Sequence, residues 1–186
     1  MPHIAVVVGS LRRDAFSRRL AHALLAVAPG GLTGAEVAIG DLPLFNQDFE
    51  TDGTTPPAYA PFRAAIRAAD AVLFVTPEYN RGIPGALKNA IDVGSRPYGD
   101  SVWAKKPTAV VSCTPGAMGG PLANHALRQN LVFLDMPVLQ QPEAYIGNVA
   151  KLLDEPDVSR EFLTKIMVAF ADWIERTAVK KDSAGG

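Results

Sequence analysis

Three stretches of this chain hold residue types that could bind a charged, planar ligand, and each follows an apolar run. The first is GSLRRDAFSR, from Gly9 to Arg18, with Ser10 and Ser17 as hydroxyl donors and Arg12, Arg13, Arg18 and the next residue, Arg19, as cations. Where a glycine turn runs into a helix start, free main-chain N–H groups and the positive dipole end add to that charge, which is the chemistry of a phosphate cradle. Each charge-assisted hydrogen bond there contributes ~1.5 to 3 kcal/mol net. The second stretch is PEYN, Pro77 to Asn80, and the third is SCTPGAMGG, Ser112 to Gly120. A phosphate on the first and a planar ring between the other two would use the side chains and main chain of all three.

The first stretch lacks the GK[ST] of a Walker A loop and the GxGxxG spacing of a dinucleotide fold, which disfavours a nucleoside triphosphate. A plainer reading makes it a helix cap with a solvated arginine face. PEYN likewise reads as an ordinary turn whose Tyr79 plugs the core. The residues alone leave both open.

The elements that would position these loops are those of an α/β domain. Val72–Thr76 is a continuous apolar run, as expected of a strand covered on both faces. Pro77 ends it, since the residue before a proline is driven to extended geometry. Pro84 then suits the first position of a helix striped by Leu87, Ala90 and Ile91. Ile4–Val8 reads as the first strand, followed by a helix through Phe16, Leu20, Ala23, Leu24 and Val27. Pro29–Gly34 is turn-rich, and Ala35–Gly40 is the expected second strand. The segment from Asp41 to about Pro57 is irregular, of a length that is often functional. Tyr59, Phe62, Ile66 and Ala69 mark the next helix. A strand over Pro107–Cys113, a helix opened by Gly119, Gly120 and Pro121, a last strand within Gln140–Gly147 and a closing helix around Phe162–Trp173 complete the chain. Trp103 is either a core plug or an interface residue. In open α/β sheets ligands bind beyond the carboxyl ends of the strands, where all three polar loops fall.

Composition narrows the classes. With 18 Lys and Arg against 19 Asp and Glu, the formal charge is -1, which offers no general field for nucleic acid. One cysteine, Cys113, cannot form an internal disulfide, and with three scattered histidines it makes no metal site. The apolar start is too short for a signal-peptide core and no run reaches the ~18 apolar residues of a membrane span, so a cytoplasmic protein is expected.

GSLR near the N-terminus, PEYN with PGALKNAIDVGSR, GAMGG and ALRQNLVFLDMPVL, in that order, resemble the NADPH-dependent FMN reductases, the family that includes chromate and quinone reductases. The likeness extends over most of the chain. It implies a flavodoxin-like three-layer sandwich with a five-stranded parallel sheet in the order 2-1-3-4-5 and helices on both faces. Residues 1–179 would form one FMN-binding domain, with 180–186 a disordered tail. Carried over, Ser10 and Arg12 hold the FMN phosphate, with Leu11 and Ser17 beside them in the cofactor site; Pro77, Glu78, Tyr79, Asn80, Ser112, Cys113 and Gly116 line the ring; Arg81 and Gly82 form the rim for substrate and NADPH. Ala15 stands where relatives often have serine, Ser17 where asparagine is common, Cys113 in place of a common serine, Arg81 in place of a frequent aromatic and Gly82 in place of a serine. Arg13, Arg18 and Arg81 are the spare cations for NADPH over NADH.

The resemblance also implies the reaction. NADPH would reduce the bound flavin and leave, and a quinone or other small oxidised acceptor would follow on the same face. The flavin carries that chemistry, so no catalytic side chain and no metal are required. Subunits would pair as a homodimer or homotetramer through the helix after PEYN. Two alternatives remain: a flavodoxin-type electron carrier without NADPH activity, and a hydrolase or transferase, for which the chain lacks a GxSxG motif.

Overall fold

The three central strands of the sheet, His3–Val8, Ala71–Pro77 and Thr108–Cys113, are buried on both faces, and this explains their unbroken apolar runs. The computed structural model describes residues 1–177, so the expected tail over 180–186 lies outside the described residues. In β1, His3–Val8, the side chains alternate between two cores. Ile4, Val6 and Val8 pack with Leu20, Leu24, Leu73, Val75, Ile166 and Phe170. Ala5 and Val7 pack with Phe62, Ile66, Phe74, Leu87, Leu127 and Trp103 on the other side. The first core is closed by α1 (Phe16–Ala26), α6 (Val149–Asp154) and α7 (Pro156–Thr177), the second by α3 (Tyr59–Ala68), α4 (Gly85–Gly94) and α5 (Pro121–Phe133).

The sheet is five-stranded and wholly parallel, in the order β2 (Thr33–Glu36), β1, β3 (Ala71–Pro77), β4 (Thr108–Cys113), β5 (Ala144–Ile146), as the resemblance implies. The chain leaves β1 for β2 on one side and crosses to β3 on the other. Such a reversal opens a crevice at the carboxyl ends of β1 and β3. Trp103 is a core plug: it is fully buried, donates from Nε1 to the Ile91 carbonyl at 2.9 Å and packs against Phe62 and Phe74. A Cβ on Gly94 would lie 2.5 Å from its ring, so only glycine lets α4 pass there.

Three boundaries differ from the sequence expectation. The second strand is Thr33–Glu36 rather than Ala35–Gly40. Its register against β1 pairs His3 with Thr33 and Val6 with Glu36, and beyond that only Val37 N–H continues, to the Val6 carbonyl. Ile39 is buried against the α3 face from irregular backbone, so its apolar character marks packing and not pairing. Pro84 caps the helix and is not its first residue: its ψ of 138° is extended, and its carbonyl accepts from Lys88 N–H at 3.0 Å. The irregular segment contains α2, Asp48–Thr51, and is tied down by Asn89, which accepts from Phe45 N–H and donates to the carbonyls of Leu42 and Pro43.

Candidate functional site

The loop after β1 leaves several of its main-chain N–H groups without an acceptor among the described residues. Gly9 N–H bonds the Val75 carbonyl at 2.9 Å, and a Cβ at Gly9 would sit 2.6 Å from Thr76 Oγ1, so the turn must be glycine where β1 and β3 converge. Ser10 is buried, and its Oγ shares a hydrogen bond of 3.0 Å with Tyr79 Oη, joining the first loop to the second. The N–H groups of Leu11, Arg13, Asp14 and Ala15 have no acceptor among the described residues. Helix α1 starts with Ala15 as its cap, which offers no side-chain acceptor, so the N–H groups of Phe16 and Ser17 also have no acceptor among the described residues, while Arg18 N–H bonds the Ala15 carbonyl at 3.0 Å. Within that turn Ser17 is buried and its Oγ has no hydrogen-bond partner. A buried hydroxyl without a partner is uncommon, and it leaves a hydrogen bond that a ligand oxygen could complete. The guanidinium groups of Arg12 and Arg13 are exposed, without a carboxylate partner among the described residues.

The second loop is a tight hairpin. Tyr79 and Gly82 exchange N–H···O bonds of 3.1 and 3.0 Å, while Asn80 and Arg81 between them lie at φ 52° and 64°. This is the left-handed pair of a type I′ turn. Tyr79 is 45% exposed, so it is not the core plug that a plain turn reading would make it. Pro77 closes β3 opposite Cys113. The Glu78 carboxylate is nearly buried: Oε2 accepts from the N–H groups of Leu122 and Ala123 at 3.0 and 3.1 Å, and Oε1 from Arg81 Nη1 at 3.2 Å. Glu78 therefore caps α5, whose own cap residue Gly120 has no side chain to do so.

The third loop folds on small residues. Thr114 Oγ1 donates to the Gly116 carbonyl and accepts from Gly119 N–H, at 3.0 and 3.1 Å. Gly119, at φ 72°, presses so closely on Tyr145 main chain that a Cβ would lie 2.5 Å from its carbonyl carbon. Below it Ser112 Oγ accepts from Asn124 Nδ2, and Asn124 Oδ1 accepts from Arg128 Nε at 2.8 Å. Cys113 points to the opposite face, into the core with α1 and α7, where burial pushes its thiol up to about 12. His125, which has no partner in its own sequence neighbourhood, meets Tyr145 Oη at 3.0 Å, and burial followed by the Glu143 hydrogen bond raises the Tyr145 hydroxyl pKa.

These three loops stand at one carboxyl edge, linked by Ser10 to Tyr79 and by Glu78 to α5. Residues 2–151 match the family model described as NADPH-dependent FMN reductase. The chain belongs to that family. Within it, the chain is 57% identical over 176 residues to a quinone reductase of Pseudomonas putida, covering 92% of this chain and 94% of that one. It is 44% identical over 176 residues to a 2-hydroxy-1,4-benzoquinone reductase of Burkholderia sp, covering 92% and 95%. Among solved structures, the flavoenzyme NAD(P)H:(acceptor) oxidoreductase FerB of Paracoccus denitrificans superposes with a TM-score of 0.88 at 39% identity, covering 96% and 100%.

An NADPH-dependent FMN reductase uses FMN as its cofactor and NAD(P)H as its reductant. The donors present fit that cofactor: unpaired N–H groups, the buried Ser17 Oγ and the free Arg12 and Arg13 surround the first loop, as a phosphomonoester requires. Two of the three arginines expected to be spare for NADPH are engaged. Arg18 is bound by Glu36 and by loop carbonyls, and Arg81 by Glu78. Sequence spacing gave no sign of the Arg18 tie to Glu36 or of the Glu78 cap on α5, because those partners lie 18 and up to 45 residues apart.

Proposed function

We propose that this FMN reductase is an NAD(P)H-dependent quinone reductase, with residues 1–179 acting as one FMN-binding domain in the cytoplasm. Bound FMN supplies the hydride chemistry, accepting from NAD(P)H and passing reducing equivalents to a quinone or another small oxidised acceptor. The protein binds and orients. Ser10, Leu11, Arg12 and Ser17 receive the phosphate on the first loop. Pro77, Glu78, Tyr79 and Asn80 on one side, with Ser112, Cys113 and Gly116 on the other, receive the ring; Glu78 and Cys113 contribute main chain only, because the Glu78 carboxylate is held by α5 and Arg81 and the Cys113 thiol faces the core. Arg81 and Gly82 form the rim where nicotinamide and acceptor dock in turn.

The observation that carries this reading is the buried Ser17 Oγ without a partner, set among the unpaired N–H groups of the first loop. The quinone is supported by the 57% identity to a quinone reductase over almost the whole of both chains. Subunit pairing is part of the proposal. Leu44, Tyr98, Val132 and Phe133 are 79%, 92%, 71% and 84% exposed, and Phe133 borders a cavity of about 470 Å³ between α4 and α5, exposed apolar side chains that pairing into a homodimer or homotetramer would cover. The single buried thiol fits a reducing compartment.

The test begins with the purified protein loaded with FMN and freed of excess. Its flavin absorbance should bleach on anaerobic NADPH and return on adding 1,4-benzoquinone, and double-reciprocal plots should be parallel, because both substrates use one site in turn. Flavin that is retained but not bleached would assign an electron carrier instead, and intersecting lines would overturn the shared site.

A further inference from the structure

Arg18 belongs to the first turn of α1, but its guanidinium does not point into solvent as a surface cation would. It folds back against the loop. Nε donates to both Glu36 carboxylate oxygens, at 3.0 and 3.1 Å. Nη1 donates to the carbonyls of Arg12 and Arg13 at 2.6 and 3.2 Å, and Nη2 to the carbonyl of Ser10 at 3.4 Å. One fork thus holds three peptide planes of the phosphate loop and is itself held by the last residue of β2. Only a guanidinium has enough donors, in a fixed plane, to do this.

The geometry fixes where the other ends of those peptides point. In a trans peptide the N–H lies opposite the C=O. Turning the carbonyls of Ser10, Arg12 and Arg13 towards Arg18 therefore turns the N–H groups of Leu11, Arg13 and Asp14 away from it. These are among the N–H groups that have no acceptor among the described residues. The Glu36 carboxylate neutralises the guanidinium at hydrogen-bond distance, so Arg18 adds little long-range attraction for an anion. Its effect lies in orientation.

We propose that Arg18, locked by Glu36, is a positioning residue of the FMN site: it presets the peptide planes of the loop Ser10–Asp14 so that their N–H groups are presented together to the cofactor's phosphate. This rests on the reading of that loop as the phosphate site. Preset donors lose less freedom on binding than donors that must first be turned, so the gain is confined to ligands that carry the phosphate.

Apoprotein titrated with FMN and, separately, with riboflavin tests this, following flavin fluorescence. Wild-type protein should prefer FMN strongly; equal affinities would refute the phosphate site itself, before Arg18 is in question. Given that preference, R18Q should lose about 10- to 100-fold in FMN affinity while riboflavin binding stays as in wild type. R18K should not restore it, because an ammonium supplies the charge without the planar fork. E36Q, which removes the lock but leaves the fork, should fall between wild type and R18Q, and it decides the matter alone if R18Q does not fold. The proposal is overturned if R18Q or E36Q keeps the wild-type preference, if FMN and riboflavin weaken in parallel, or if R18K behaves as wild type.

Discussion

Replacing Ser17 by alanine should move stability and cofactor affinity in opposite directions. In the apoprotein the Ser17 hydroxyl is buried without a hydrogen-bond partner. An unsatisfied buried polar group costs ~1 to 3 kcal/mol, and alanine is also the better helix former by up to about 0.5 kcal/mol. Against this stands the small void left by one oxygen, so a net gain of ~1 kcal/mol is expected for Ser17→Ala without cofactor. For a chain of this length that is a rise of about 2 to 4 °C in Tm. With FMN bound the sign reverses. A hydrogen bond from the hydroxyl to a charged phosphate contributes ~1.5 to 3 kcal/mol, so its loss should weaken FMN binding by about 10- to 100-fold. The stabilisation that saturating FMN confers should shrink by the same free energy, because ligand stabilisation follows RT ln(1 + [L]/Kd).

Calorimetry of the apo and loaded forms, paired with an FMN titration, measures both arms. A less stable apoprotein with unchanged FMN affinity would refute the argument, since it would mean that the hydroxyl is satisfied within the fold and has no part in the cradle. A loss in both would mean that Ser17 packs structurally.

Two further outcomes follow from the same site. Glu78→Gln keeps an oxygen for the N–H groups of Leu122 and Ala123 but removes the charge, and neutral bonds are about half as strong as charge-assisted ones. With the lost dipole interaction at the start of α5, about 2 kcal/mol should go, seen as a Tm lower by roughly 4 to 8 °C in thermal unfolding of the apoprotein; a Tm within 1 °C or so of wild type would refute the capping role. At Cys113 burial raises the thiol from an ordinary 9.0 to about 12. Above pH ~9 the unfolded chain sheds that proton and the native chain keeps it, so the thiol's contribution is complete below the lower value and falls by about 1.4 kcal/mol per pH unit above it. Denaturant unfolding of wild type and Cys113→Ala at pH ~8 and ~10 should show the gap between them narrow by about 1 kcal/mol; a constant gap would mean that the thiol ionises as readily in the fold as out of it.

The fold was legible wherever a strand is buried on both faces. Val72–Thr76 and Ile4–Val8 read as interior strands from their unbroken apolar runs, and in the fold Val72–Val75 and Ile4–Val8 feed two cores at once. Edge strand β2 was misplaced because TGAE is mostly exposed and owes its conformation to the neighbouring β1 main chain, not to its own side chains. Gly34 is the residue that permits the pairing, since a Cβ there would lie 2.6 Å from Ile4 Cγ1, but a glycine in a turn-rich stretch reads as a turn. Pro84 misled by one position for a related reason. The fixed φ of proline suits both the cap and the first helical residue, and only ψ, set by the hairpin before it, separates them.

The site was legible as a set of loops but not as a mechanism of support. Residue types and order brought Ser10, Ser17, Tyr79, Glu78 and Gly116 to one edge of the sheet. What they do for one another depends on side chain to main chain bonds, and any polar residue can make these with any peptide group, so they leave no periodicity. Glu78 was expected beside a ring and is found holding a helix; Arg18 was expected to be spare and is found turning three carbonyls. Both place a charge against a main-chain end and both leave donors or walls free for a ligand. That division explains how a site with so few direct ligands can be rigid: the charges that look available in sequence are spent on the loops, while the contacts left open are peptide N–H groups, one buried hydroxyl and the arginines Arg12 and Arg13. A cofactor bound by oriented peptides is selected by the shape of its phosphate as much as by its charge. Salt should therefore weaken FMN binding only modestly, whereas a single peptide plane turned over should reduce the preference for FMN over riboflavin.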